Sequence, residues 1–135
     1  MFLGRYVMKK LIPILLSALL LTGCGGISSD KTTTYRSISM DAAVAMMEQE
    51  QGYIILDVRR PDEFAEGHIP NAINVANESI GTDEIPELPD KDQLIFVYCR
   101  SGRRSKEASE KLVKLGYTNI VEFGGILYWK GEIEK

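Results

Sequence analysis

The feature that most constrains the fold is a short apolar segment followed at once by a cysteine and a basic loop. Residues 94–98 have the sequence LIFVY, a run of β-branched and aromatic residues typical of a strand buried on both faces. Cys99 comes next, and three of the following five residues are arginines. Apolar residues then recur at i, i+4 and i+7, a pattern that predicts a helix with Ser105 as its N-cap. Cys99 is therefore expected at the strand-to-helix edge where open α/β sheets bind ligands.

This placement has consequences for the chemistry of Cys99. If the loop curls around the sulfur, its backbone N–H groups point inward and form a cradle for an anion. The helix N-terminus and the nearby guanidinium groups add positive charge. Such surroundings favour the thiolate, which is the nucleophilic form of cysteine. Cys99 is thus the candidate nucleophile, and the candidate binding residues are Arg100, Ser101, Gly102, Arg103 and Arg104.

Three segments together resemble the signatures of single-domain rhodanese sulfurtransferases. Residues 99–105, CRSGRRS, resemble the active-site loop of that family. Residues 57–75, which include DVR, PDEF and EGHIPNAINV, resemble its first signature, and residues 124–129, GGILYW, resemble its closing one. The resemblance covers roughly residues 35–131. It implies a single α/β domain with a mainly parallel central sheet and helices on both faces, and the alternation of strand and helix patterns favours the same fold.

The resemblance also implies an activity. In sulfur transfer, the Cys99 thiolate takes the outer sulfur of a small anionic donor, such as thiosulfate or a persulfide, and becomes a persulfide. Cyanide, a small thiol or a protein thiol then accepts that sulfur. No residue pattern requires a metal or an organic cofactor. The resemblance implies supporting, structural roles around the site for Asp57, Arg59 and His68.

Two other classes of function remain open at this point. Cysteine phosphatases and arsenate reductases have a Cys-x5-Arg loop around a tetrahedral oxyanion. Here Arg104 falls one residue too early for that spacing, and the shorter loop suits a sulfur atom better. The third class is a non-catalytic rhodanese-like binding module or a thiol relay. The retained cysteine and its basic loop argue against a purely non-catalytic module.

The N-terminal segment predicts export from the cytoplasm. Residues 1–23 carry three basic residues, no acidic residue and an apolar run at 11–21, as a signal peptide does. The sequence LTGC at 21–24 resembles the lipobox of bacterial lipoproteins, so Cys24 is the expected lipidation site. The true start is Met1 or Met8. Residues 24–34 then form the lipidated cysteine and a flexible tether, and residues 35–135 the rhodanese-like domain. The expected location is the cell envelope, anchored to a membrane by lipid.

The charge of the remaining chain limits its partners. Without residues 1–23 it has 13 basic and 19 acidic residues, a net charge of −6. A protein with this balance is not expected to bind nucleic acid. The arginines that follow Cys99 therefore form a local cluster of positive charge that can bind small anions.

Overall fold

The computed structural model describes residues 34–135, in which five parallel strands form one sheet. The strands lie in the order β1-β5-β4-β2-β3, so that β4 is central. This arrangement confirms the predicted fold class, including its parallel sheet. The bounds are β1 Arg36–Ser37, β2 Ile54–Asp57, β3 Ile73–Asn74, β4 Ile95–Cys99 and β5 Ile120–Gly125.

In the described part of the chain, three α-helices cover the sheet: α1 Met40–Gln49, α2 Pro61–Glu66 and α3 Arg103–Lys114. Ser39 caps α1 by accepting a hydrogen bond from the amide of Ala42 at 3.2 Å. Gly116 ends α3 with a left-handed backbone, and the amides of Gly116 and Tyr117 donate to carbonyls of the last turn. Short 3-10 turns occur at Asn77–Ser79 and Ile126–Tyr128.

The central strand divides the core into two halves because its side chains alternate between the faces. Ile95, Val97 and Cys99 pack on the α3 side with Leu112. Phe96 and Tyr98 pack on the opposite side, against residues of α1. All five residues of β4 are buried, as expected for the middle strand of a parallel sheet. Both faces of the sheet are therefore covered, and Cys99 belongs to the α3 side.

Two features of the fold are not indicated by the sequence patterns. Within residues 77–92, Ile80, Ile85 and Leu88 are buried and close the core on the α3 side. Strand β1 was not anticipated, because only two residues form it and both are polar and exposed.

No helix within residues 34–135 has the length and apolar character needed to cross a bilayer. The predicted signal peptide and Cys24 lie outside the described residues.

Candidate active site

Cys99 is the last residue of β4 and lies beneath the loop that leads to α3. Its side chain is buried, with 1% of its surface exposed, and it has no disulfide partner among residues 34–135. The backbone amide of Gly102 donates a hydrogen bond to Sγ at 3.0 Å. We call residues 99–105 the cysteine loop. Its geometry brings a backbone donor onto the sulfur, which is the arrangement an anionic sulfur needs.

The start of α3 differs from the prediction, and the difference lies in the cysteine loop. The helix begins at Arg103 with Gly102 as N-cap, so the expectation that Ser105 caps it was wrong. Gly102 has φ +118°, a backbone conformation that glycine adopts without a Cβ penalty, and this allows the earlier start. The amides of the first helical turn have no acceptor four residues back, so they are available to an anion at the site.

A second glycine supports the cysteine loop from below. Gly125, the last residue of β5, lies so close to Arg100 that a Cβ there would be 2.0 Å from the Arg100 carbonyl oxygen. The amide of Leu127 donates to the same oxygen at 3.2 Å. The loop therefore rests directly on the backbone of the GGILYW segment, which explains why glycine is needed at this position.

Four arginines surround a cavity of about 320 Å³ above the cysteine loop. We call this cavity the arginine pocket. Its lining residues are Arg60, Glu78, Arg100, Ser101, Arg103 and Arg104. Four of these six side chains are cationic, so the pocket selects anions. A larger cavity of about 630 Å³ lies beside residues 38–41 and 127–130, and no residue of the cysteine loop lines it.

Arg103 and Arg104 have different surroundings within the arginine pocket. Arg103 is largely exposed, and its guanidinium contacts Glu107 one turn along α3 at 2.7 Å. Arg104 is mostly buried and forms two hydrogen bonds with the carboxylate of Glu63, at 2.7 and 3.0 Å. These bonds from Arg104 lower the pKa of Glu63 to about 2. Arg104 is thus held rigidly at the pocket by α2, whereas Arg103 can turn towards a ligand.

Asp57 and Arg59 form a buried polar network next to the site. Asp57 has no exposed surface, and its carboxylate accepts hydrogen bonds from the backbone amide and the guanidinium of Arg59. The Tyr98 hydroxyl donates to the same carboxylate at 2.7 Å, and Arg59 also donates to the Gly67 carbonyl at 2.7 Å. Burial, together with Asp57, raises the pKa of Tyr98. The network ties β2, β4 and the end of α2 together, and the sequence patterns did not indicate Tyr98 as part of it.

His68 lies at the end of α2, where it holds backbone segments together. Its ring stacks on Phe64 with centroids 3.7 Å apart, and Nδ1 is 2.9 Å from the Phe64 carbonyl oxygen. Its backbone forms a β-bridge with Glu134 near the C-terminus. These contacts are of the structural kind that the family resemblance implies for His68.

One polar residue of the site was not anticipated. Glu122 lies in the middle of β5 and is 1% exposed, and its Oε1 atom is 2.7 Å from the hydroxyl of Ser105. Ser105 has no exposed surface, and its Oγ is also 3.5 Å from the Cys99 sulfur. The available signal was a glutamate within the apolar strand sequence IVEF at 120–123. Within residues 34–135, no group of three or more His, Cys, Asp or Glu side chains is placed to hold a metal ion.

Comparison with protein families identifies the same region of the chain. A family model described as Rhodanese-like domain matches residues 39–132. Thiosulfate sulfurtransferase PspE of Escherichia coli is 35% identical over 71 residues, which are 53% of this chain and 68% of that protein. Thiosulfate sulfurtransferase GlpE of Pseudomonas syringae is 34% identical over 99 residues, 73% of this chain and 90% of that one.

Longer relatives and solved structures extend this comparison. The chain spans only 27% of the length of adenylyltransferase and sulfurtransferase UBA4 of Candida albicans, to which it is 32% identical over 120 residues. A solved structure described as rhodanese with anions from E. coli superposes with a TM-score of 0.56 at 31% identity. That superposition covers 62% of this chain and 98% of the other.

Proposed function

Because this chain belongs to the rhodanese-like domain family, we propose that it is a sulfurtransferase that moves a sulfane sulfur through a Cys99 persulfide. The observation that carries the proposal is the hydrogen bond from the Gly102 amide to Sγ, at the edge of the sheet where β4 meets α3. The arginine pocket above it supplies positive charge for an anionic donor. Its relatives named as thiosulfate sulfurtransferases support the same reaction class.

The proposed reaction has two half-reactions. In the first, the Cys99 thiolate attacks the outer sulfur of thiosulfate, a new S–S bond forms, and the S–S bond of thiosulfate breaks to release sulfite. In the second, a thiolate or cyanide attacks the outer sulfur of the persulfide, and Cys99 leaves with its original electron pair. The outer sulfur of the persulfide lies about 2 Å beyond Sγ. It can therefore project from the buried cysteine towards the arginine pocket.

In this proposal, different residues of the cysteine loop bind different parts of the donor. Backbone amides at the start of α3 stabilise the sulfur, while Arg100, Ser101 and Arg103 contact the sulfonate oxygens of the donor. Arg104 contributes a fixed positive charge because Glu63 already occupies its bidentate face. Donors that carry a compact negative group next to a sulfane sulfur are the class that fits.

Mass spectrometry of the purified full chain tests this proposal. After incubation with thiosulfate, we expect the wild type to gain the mass of one sulfur at Cys99 and to lose it on addition of cyanide. Cys99→Ser should gain no sulfur, because a hydroxyl cannot carry it. Cys24→Ser is the matched control and should load normally. A wild type that neither gains sulfur from thiosulfate nor forms thiocyanate would contradict the proposal.

A membrane location is the second part of the proposal. We propose that Cys24 is lipidated and tethers the domain to a membrane of the cell envelope, where a small thiol or a protein thiol accepts the sulfur. The support is the sequence LTGC and the basic and apolar pattern before it. A lipidated N-terminus with more than one acyl chain would anchor the domain stably.

A further inference from the structure

The buried carboxyl group of Glu122 has no role in the reaction described so far. Glu122 sits on the α3 side of β5, where Ile120 two residues earlier is an apolar core residue. Three neutral groups surround its carboxyl: the hydroxyls of Ser105 and Ser37, at 2.7 and 2.6 Å, and the amide of Gly124 at 2.8 Å. A carboxyl buried among neutral donors is costly to keep in a core. Its position next to the nucleophile therefore calls for a chemical explanation.

Ser105 connects this carboxyl to the nucleophile. A serine hydroxyl has one hydrogen to donate and two lone pairs that accept. Its closest acceptor is Glu122 Oε1 at 2.7 Å, so when Glu122 is ionised the hydrogen lies on that bond. A lone pair of Oγ then faces Sγ at 3.5 Å and can accept the thiol hydrogen of Cys99. The three groups form a continuous path along which a proton can move between sulfur and carboxylate.

We infer that Glu122 holds the thiol proton of Cys99 while the cysteine carries sulfur, with Ser105 as the relay. The Cys99 proton moves to Ser105 while the serine proton moves to Glu122, and the resulting thiolate attacks the outer sulfur of thiosulfate, leaving a persulfide anion, a neutral carboxyl and sulfite. When an acceptor thiolate removes the outer sulfur, the proton returns and Cys99 is again a thiol beside a carboxylate. The inference rests on the proposed function and assigns Glu122 as a positioning residue that acts through Ser105.

The charge balance gives the physical reason for such a residue. In both states the Cys99–Glu122 pair carries one negative charge, first on the carboxylate and then on the persulfide. Without the transfer, two anions would share a buried site whose bonds to Glu122 come from neutral groups. Burial and the charges of Glu110 and Glu122 raise the pKa of Tyr35, which lies ahead of β1, and Arg104 lies near the sulfur. Of these four ionisable side chains, Glu122 is the one that shares a hydrogen-bonded serine with Cys99.

Infrared difference spectroscopy of the wild-type protein tests the inference directly. Adding thiosulfate should produce the carbonyl stretch of a protonated carboxyl group in step with the sulfur gained by mass spectrometry. Cyanide should then remove both signals together. A persulfide that forms without this band would overturn the inference and leave the sulfurtransferase proposal standing. A protein that gains no sulfur would overturn the proposed function and the inference with it.

Variants separate proton uptake from a structural role of Glu122. Glu122→Gln keeps the shape and can still accept from Ser105 and Gly124, but it cannot take up a proton. We expect it to lack the band even when it gains sulfur from thiosulfate. Glu110→Gln, which removes a nearby charge from the exposed face of α3, should keep the band. If Glu122→Gln does not fold, Ser105→Ala tests the same relay. A carboxyl band that appears on addition of thiosulfate in either folded variant would overturn the inference.

Discussion

Arg104 and Glu63 form a bidentate ion pair that joins the first turn of α3 to the first turn of α2. Nη1 and Nη2 of Arg104 lie 2.7 and 3.0 Å from the two carboxylate oxygens of Glu63. The same carboxylate accepts the backbone amide of Arg60 at 3.0 Å, so it also caps α2. The pair lies at the edge of the arginine pocket and is mostly buried. It therefore fixes one wall of the pocket relative to the cysteine loop.

Glu63→Gln should destabilise the protein in a pH-dependent way. The pKa of Glu63 is lowered from 4.5 to about 2 in the folded protein, so its ionised form stabilises the fold above pH 4.5. This stabilisation is lost as the pH falls towards 2. We expect the free energy of unfolding at pH 7 to fall by about 1–2 kcal/mol, allowing for solvent screening. Urea unfolding between pH 2 and 7 measures the difference, which should shrink as the pH decreases.

The neighbouring residue provides a matched control. Asp62 also pairs with an arginine, Arg60, but both side chains are more than half exposed. Asp62→Asn should therefore leave stability nearly unchanged across the same pH range. Equal losses of unfolding free energy in the two variants would show that the buried Arg104–Glu63 pair stabilises the protein no more than the exposed pair does.

Gly125→Ala should disable the active site while leaving most of the fold in place. The added Cβ would overlap the Arg100 carbonyl, so the cysteine loop must move away from β5. A displacement of about 1 Å is enough to reduce kcat/KM on the order of 10²-fold. Thiosulfate:cyanide sulfur transfer measures this loss. Gly81→Ala is the control, because nothing lies within 4 Å of a Cβ at that position. Full activity in Gly125→Ala would mean that the loop does not need this support.

The sequence predicted the central strand, which carries a continuous apolar run. Strand β4 lies within one residue of the run at 94–98, because burial on both faces requires such a run in a parallel sheet. The edge strand β1 has no such run. Its two polar residues are held by pairing with β5, about 85 residues later in the chain. A strand that is held only by a distant partner has no local sequence pattern that predicts it.

The active site was predictable in its nucleophile and less so in its supporting contacts. Cys99 and the basic cysteine loop follow one another in the sequence, so local reasoning was enough to group them. Ser105 was interpreted as a helix cap from its residue type. In the structure its hydroxyl instead contacts Glu122, 17 residues later in the chain on strand β5. The partner of Arg104 is likewise 41 residues distant. These pairings depend on tertiary packing and not on local propensity.

Cys24→Ala should change where the protein is found in the cell. If Cys24 is lipidated, the wild type partitions into the detergent phase and begins at Cys24 after processing. The variant should either accumulate unprocessed or appear in the aqueous phase, since the thiol that carries the lipid is absent. Phase partitioning and N-terminal mass analysis of the native protein measure both effects. A native protein that still begins at Met1 or Met8 would contradict the lipoprotein prediction.

The length of the cysteine loop should decide between sulfur transfer and oxyanion chemistry. Inserting one glycine after Gly102 moves the arginine at 104 to the Cys-x5-Arg spacing and widens the ring around Sγ. In the wild type the Gly102 amide lies 3.0 Å from the sulfur, and α3 begins at the next residue. The inserted glycine would separate this amide from the first turn of α3. We expect kcat/KM for sulfur transfer from thiosulfate to fall by about tenfold or more. Aryl phosphate hydrolysis should increase, because a tetrahedral oxyanion needs the wider ring.

Steady-state kinetics with thiosulfate and with an aryl phosphate measure both activities for each protein. A glycine inserted after Gly81, in an exposed loop, is the matched control and should keep the wild-type ratio of the two activities. An insertion after Gly102 that leaves sulfur transfer unchanged would show that ring size does not select the substrate. A wild type that hydrolyses the aryl phosphate efficiently and ignores thiosulfate would contradict the sulfurtransferase proposal itself, because the short loop would then be accommodating a tetrahedral oxyanion.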